Sequence, residues 1–182
     1  ESETASGLLC GDGDIAATWQ TLQVWTPSEG GDESGWQRSV SAVDGKARFL
    51  ADLARDPGKL AGPVPVGDVV VRRWMALARD LDQVELRREV SDYAAWMRIE
   101  HAAGKERAGA LIAATPDGVV KSAEGNYVLV DPSWRWTSPV DIELLLVMHL
   151  RSFAARLLSS GHRHPWPVSV SVDQVVAALL EL

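Results

Sequence analysis

Cysteine is almost absent from this sequence, since Cys10 is the only one among 182 residues. A lone cysteine excludes an internal disulfide framework and any zinc site built from several cysteines, and it suits the reducing cytoplasm. Long apolar runs are also missing. The best candidate, residues 144–150, is interrupted by His149 and is far shorter than the roughly 20 apolar residues that cross a bilayer. We therefore expect a cytoplasmic protein without membrane insertion.

Basic residues are missing from the front of the chain. No lysine or arginine precedes Arg38, whereas seven acidic residues do, so the net charge of −7 is concentrated there. The remainder is balanced and has no basic stripe that could neutralise phosphates, which argues against nucleic acid as a partner. We expect one domain over residues 1–182, with an acidic, loosely packed edge at 1–35 and the main body at 36–182.

Sequence motifs for common chemistries are missing as well. Neither G-x-G-x-x-G nor G-x-x-x-x-G-K-[ST] occurs, and no G-x-S-x-G elbow is present. His162 and His164 lie in a proline-rich turn with no third ligand at a recognisable spacing, so we expect no metal site. His149, on an apolar helix, is expected to bond to backbone at the edge of the core. The sequence thus predicts no catalytic residue and no cofactor in this chain.

The patterns that are present predict an α+β fold in which small antiparallel hairpins pack with a bundle of about four helices. Asp44 and Gly45 favour one hairpin turn, and residues 123–126 favour another between two runs of alternating apolar residues. Residues at helical spacing then predict core-facing stripes. These stripes are Val70, Trp74, Leu77 and Leu81; Leu86, Val90, Tyr93 and Met97; and Leu146, Leu150, Phe153 and Leu157.

Side chains that could begin helices mark three further positions. Asp68 is the expected N-cap of the first helix, and Ser138 followed by Pro139 is the expected start of the long apolar helix. Ser171 and Gln174 form a capping-box pattern before the last helix. These signals divide the second half of the chain into a hairpin, a central helix and a terminal helix.

One short segment concentrates the residues most suited to binding. Residues 127–143, YVLVDPSWRWTSPVDIE, place Asp131 at the end of a strand and then Trp134, Arg135 and Trp136 before a helix. With Trp166, these are the candidate ligand residues, because tryptophan stacks on sugar rings and arginine reaches hydroxyls or phosphate. The alternative is a hydrophobic latch between strand and helix. We expect a strand-to-helix junction that is only secondarily a contact surface, with one tryptophan buried and the other partly exposed beside Arg135.

The strand-end aspartate after a hairpin that begins TPDGVV resembles the catalytic hairpin of kinases and aminoglycoside phosphotransferases. In that family such an aspartate holds magnesium, and an upstream D-x-x-P-x-N supplies the base and a second metal ligand. With Pro116 matched to that proline, the base position falls on Ala113 and the asparagine position on Gly118. The resemblance therefore implies at most a degenerate phosphotransferase.

The segments ATPDGVV, DPSWRW and LRSFAARLLSSGHRHPWP resemble the C-terminal region of actinobacterial SAM-dependent methyltransferases and glycosyltransferases from surface-polysaccharide clusters. This resemblance implies an accessory module whose partner is its own upstream catalytic domain, where SAM or a nucleotide sugar would bind, and whose second partner would be a glycan. The start at Glu1, without methionine, fits a piece of a longer polypeptide. A purely structural dimerisation domain is the remaining alternative.

Overall fold

The computed structural model describes residues 10–11, 20–27, 36–43 and 52–180, and the fold is α+β as the sequence predicts. The helices are α1 (Val70–Arg79), α2 (Gln83–Ala102), α3 (Lys105–Ala110), α4 (Ile142–Ser159) and α5 (Val172–Leu180). The strands are β1 (Cys10–Gly11), β2 (Gln20–Pro27), β3 (Trp36–Val43), β4 (Leu53–Arg55), β5 (Gly62–Pro63), β6 (Asp68–Val69), β7 (Val119–Lys121), β8 (Tyr127–Leu129) and β9 (Trp134–Trp136). Across these ranges, each helix is too short or too polar to cross a membrane.

The core lies among α1, α2, α4 and α5, and its side chains come from the predicted stripes. Trp74 is fully buried, with ring centroids 5.3 Å from Tyr93 and 5.2 Å from Phe153 in edge-to-face geometry. Such pairs add to the stability that burial alone gives. The stripe of α4 is buried as expected, whereas Leu81 lies beyond α1 and is 36% exposed. Helical periodicity therefore identified most of the core.

Two of the three predicted helix starts differ from the structure. Asp68 does not cap α1, because Asp68 and Val69 are extended and pair with Lys121 and Val120 in the β6–β7 ladder. The central helix starts after Asp141, not after Ser138: the Oδ1 atom of Asp141 accepts hydrogen bonds from the backbone of the first helical turn. A carboxylate immediately before the helix also suits the positive end of its dipole.

The predicted capping box before the last helix is confirmed. The side chain of Ser171 accepts from the backbone N–H of Gln174 at 3.2 Å, and the Gln174 side chain accepts from the N–H of Ser171 at 2.9 Å. Helix α4 ends at Ser159, and Gly161 follows with φ +67°, a conformation that favours glycine. The central and last helices are thus delimited by local sequence.

In the part of the chain that the structure describes, the strands form three antiparallel sheets with the orders β1-β2-β3-β5, β4-β9 and β6-β7-β8. The hairpin at residues 119–129 is confirmed, with Val120 opposite Val128. The hairpin predicted around Asp44 and Gly45 lies largely outside the described residues, because its turn and most of its second arm fall at 44–51. Within the described residues, β3 pairs with β2 and β5, and β4 pairs with β9.

Candidate functional site

The turn that follows β8 is held by Asp131. Its Oδ1 atom accepts hydrogen bonds from the backbone N–H of Ser133 at 2.9 Å and from the Ser133 hydroxyl at 2.5 Å. Ser133 is 1% exposed, and its carbonyl accepts from the N–H of Asp56 at 2.8 Å. One oxygen of this candidate ligand-binding residue is therefore engaged in fixing a local turn, a role that aspartate commonly fills.

Arg38, which no sequence motif marks, lies against this turn. Its guanidinium donates to the carbonyls of Leu60 at 2.5 Å and Val130 at 3.0 Å, and the residue is 6% exposed. Burial lowers the pKa of Arg38, and the charge of Asp131 opposes that shift. A buried guanidinium with carbonyl acceptors and a nearby carboxylate thus joins β3 to Leu60 and to Val130, the residue before this turn.

We define the junction as residues 131–136, of which Trp134–Trp136 form β9. The register places Trp134 opposite Arg55 and Trp136 opposite Leu53, and the Arg55 guanidinium lies 4.5 Å from the centroid of the Trp134 ring. Both tryptophans are half-buried, so the expected pair of one buried and one partly exposed ring is wrong in its buried member. The Arg55 side chain lies over Trp134, and α3 packs beside β9, so these neighbours cover the junction in part.

Arg135 and α3 complete the junction. The Nη1 atom of Arg135 lies 3.8 Å from Glu106, and Lys59 donates to the same carboxylate at 2.5 Å. The hydrogen bond from Lys59 lowers the pKa of Glu106. Gly109 lets α3 approach, because a Cβ at that position would lie 2.2 Å from the carbonyl oxygen of Trp136. No larger residue fits there without a shift of the backbone.

The cavity beside the junction is small. It has a volume of about 80 Å³ and is lined mainly by polar residues, among them Arg55, Asp56, Lys59 and Arg135. Water occupies roughly 30 Å³ per molecule in the liquid, and pockets for small molecules usually measure roughly 300–1,000 Å³. The cavity therefore suits a few water molecules and not a sugar ring.

Trp166 does not join the other candidate residues. It lies in the loop between α4 and α5, where it packs against the helical core, and its ring centroid is 6.2 Å from that of His164. Within residues 52–180, no ring contact links it to Trp134 or Trp136. The five residues selected from the sequence thus form one cluster of four and one separate anchor.

The geometry leaves little room for the phosphotransferase chemistry. Ala113 and Gly118 stand at the two positions that would need an aspartate and an asparagine, and a Cβ at Gly118 would lie 2.3 Å from the Ala113 carbonyl oxygen. A side chain at position 118 would therefore collide with backbone. Among the described residues, no group of three histidine, cysteine or acidic side chains is placed to hold a metal ion.

Two polar pairs were not found from the sequence. The Tyr93 hydroxyl donates to the Ala114 carbonyl and lies 2.9 Å from Nδ1 of His149, whose pKa falls to about 4 because burial disfavours its charged form. The ammonium of Lys121 donates to Glu89 at 2.9 Å, which joins β7 to α2. His149 interrupting an apolar stripe was the one available signal, and the backbone bond expected for it is present, to Ile112.

Comparisons with known proteins find no match among protein-family models, curated proteins or solved structures.

Proposed function

We propose that this chain is a non-catalytic module of a polysaccharide-modifying transferase, either a methyltransferase or a glycosyltransferase. Its role is to pack against the catalytic domain or to position the acceptor glycan, while SAM or a nucleotide sugar binds in that other domain. The single observation that carries the non-catalytic part is the engagement of Asp131 with Ser133, beside positions occupied by Ala113 and Gly118. The similarity of three segments to such transferases supports the parent class.

Packing against a domain is better supported than glycan binding. The Arg55 guanidinium already occupies a face of the Trp134 ring, and the adjacent cavity is smaller than a sugar. Leu144 and Met148, by contrast, lie four residues apart on α4 and are 59% and 53% exposed. Neighbouring apolar side chains on one helix face favour contact with another protein surface. The proposed location is the cytoplasm, because Cys10 is the only cysteine.

The experiment compares the full product of the gene with the isolated chain. Methyl transfer from SAM and sugar transfer from nucleotide sugars are measured for both, and we expect activity only in the full product. Leu144→Ser with Met148→Ser should lower that activity without unfolding the chain, whereas Ser152→Ala, also exposed on α4, should not. A gene product that lacks a transferase domain, or transfer by the isolated chain, would contradict the proposal.

A degenerate phosphotransferase is the second candidate, favoured by the β7–β8 hairpin with Asp131 directly after it. ATP hydrolysis by the isolated chain in the presence of magnesium, abolished by Asp131→Asn, would establish that function instead. Sedimentation analysis tests the third alternative, a dimerisation domain. A stable dimer with no transferase in the same gene product would favour it.

A further inference from the structure

An open groove lies between α1 and the C-terminal end of α4, away from the junction. Its volume is about 570 Å³, within the roughly 300–1,000 Å³ usual for small-molecule sites. Arginines dominate its lining: Arg72, Arg73 and Arg79 come from α1 and Arg156 from α4, and Asp68 is the acidic residue among the lining side chains. Ordinary small-molecule sites are mostly apolar, so this charge pattern indicates an anionic ligand.

The positions of the arginines follow from helix geometry. Arg72 and Arg79 are seven residues apart, so they lie on one face of α1, about 10 Å apart along the axis at 1.5 Å per residue. Arg156 faces them from α4, followed one turn later by Ser160 and then by His162 beyond the helix. The walls of the groove therefore present positive charge from two helices toward one space.

Most of these guanidinium groups keep donors available. Arg72 is exposed, and within residues 52–180 it has no hydrogen-bond or ion-pair partner. Arg79 and Arg73 lie no closer than 3.7 Å to their carboxylate neighbours, beyond hydrogen-bond distance. Arg156 donates through Nη1 to Asp117. An arginine has five N–H donors, so such contacts leave most of them unused.

We infer that this groove binds a small molecule that carries two or more phosphoryl charges, such as a diphosphate. Planar guanidinium groups bind phosphate oxygens in pairs, and arginines about two helical turns apart suit a ligand with more than one phosphoryl group. A short groove on an otherwise balanced body does not fit a nucleic-acid strand. This inference does not depend on the proposed function, because it uses neither the junction nor α4 residues Leu144 and Met148.

Calorimetric titration with inorganic pyrophosphate, and separately with orthophosphate, tests the inference at one fixed ionic strength. We expect pyrophosphate to bind at least about fivefold more tightly than orthophosphate. The variant Arg72→Gln with Arg79→Gln should weaken pyrophosphate binding roughly tenfold, which corresponds to about 1.4 kcal/mol. The matched control is Arg107→Gln with Arg151→Gln, which removes the same charge from exposed arginines outside the groove and should change the affinity less than about twofold.

Two results would overturn the inference. One is the absence of pyrophosphate binding at about 10 mM, weaker than specific small-molecule affinities. The other is an equal loss in the groove and control variants, which would reveal only a general charge effect. The same titration with ADP then identifies the ligand class. Equal affinity for ADP and pyrophosphate means that the groove binds the phosphoryl groups alone. Circular dichroism of both variants verifies that they are folded.

Discussion

The helical core and the junction are stabilised by different kinds of interaction. In the core, apolar side chains of α1, α2, α4 and α5 pack around Trp74 and Phe153. At the junction, hydrogen bonds, ion pairs and close backbone approach bring together segments around residues 38, 55, 109 and 131–136. Large-to-small substitutions should therefore destabilise the core most. The junction should be destabilised by a larger side chain where backbones approach closely, and by loss of the side chains that pack there.

The largest effect should come from the core. Phe153→Ala removes a ring that is 1% exposed and packs edge-to-face against Trp74, so we expect a loss of about 3–5 kcal/mol in the free energy of unfolding. Met148→Ala, on the exposed face of the same helix, should cost less than about 0.5 kcal/mol. Urea denaturation measures both. Similar losses at the two positions would show that α4 is turned differently.

Gly109 of α3, which lies against the junction, should be the position where a larger side chain lowers stability. Gly109→Ala places a methyl group against the Trp136 carbonyl and should cost about 3 kcal/mol, because α3 and β9 must separate. Alanine is otherwise the better helix former by about 1 kcal/mol. The sign of the change in urea midpoint therefore shows which of the two effects is larger. A more stable Gly109→Ala variant would disprove the close approach.

The two junction tryptophans should behave alike. Both are half-buried and paired with β4, so Trp134→Ala and Trp136→Ala should each lower stability by roughly 2–3 kcal/mol, less than a fully buried aromatic. Thermal or urea unfolding of each variant gives the comparison. If one of the two changes proved neutral, that ring would be available for contact, and the original expectation of unequal tryptophans would be restored.

The smallest expected effect is the pH dependence of stability that comes from His149, which is buried in the core. Its folded pKa of about 4 lies below the usual 6.5, so its contribution is complete above pH 6.5 and declines as pH falls toward 4. Between pH 7 and 5 we expect a loss of about 2 kcal/mol. Urea midpoints of the native chain and of His149→Gln measure this loss, and the variant should show a flatter profile. Parallel profiles would contradict the burial of a neutral imidazole.

Sequence periodicity predicted the core well but the junction only in part. A stripe such as Val70 and Trp74 is encoded locally, at helical spacing, and the hairpin at 119–129 is encoded by alternation and a short turn. The contacts of Arg38 with Val130 and of Arg55 with Trp134 join residues roughly 80 to 90 positions apart, and such pairings leave no periodic signal. The residue types at Asp131 and Trp134 indicated a candidate site, but the residues that contact them could not be predicted from the sequence.

The pairing of β4 with β9 also determines when parts of this chain can become ordered during synthesis. Leu53 pairs with Trp136, so the ribosome must add roughly 80 further residues before the earlier strand meets its partner. Helices α1 and α2 need only neighbouring sequence and can form first. β4 is therefore synthesised early but pairs with β9 late. Until then its backbone donors and acceptors are available to chaperones or to other unpaired strands.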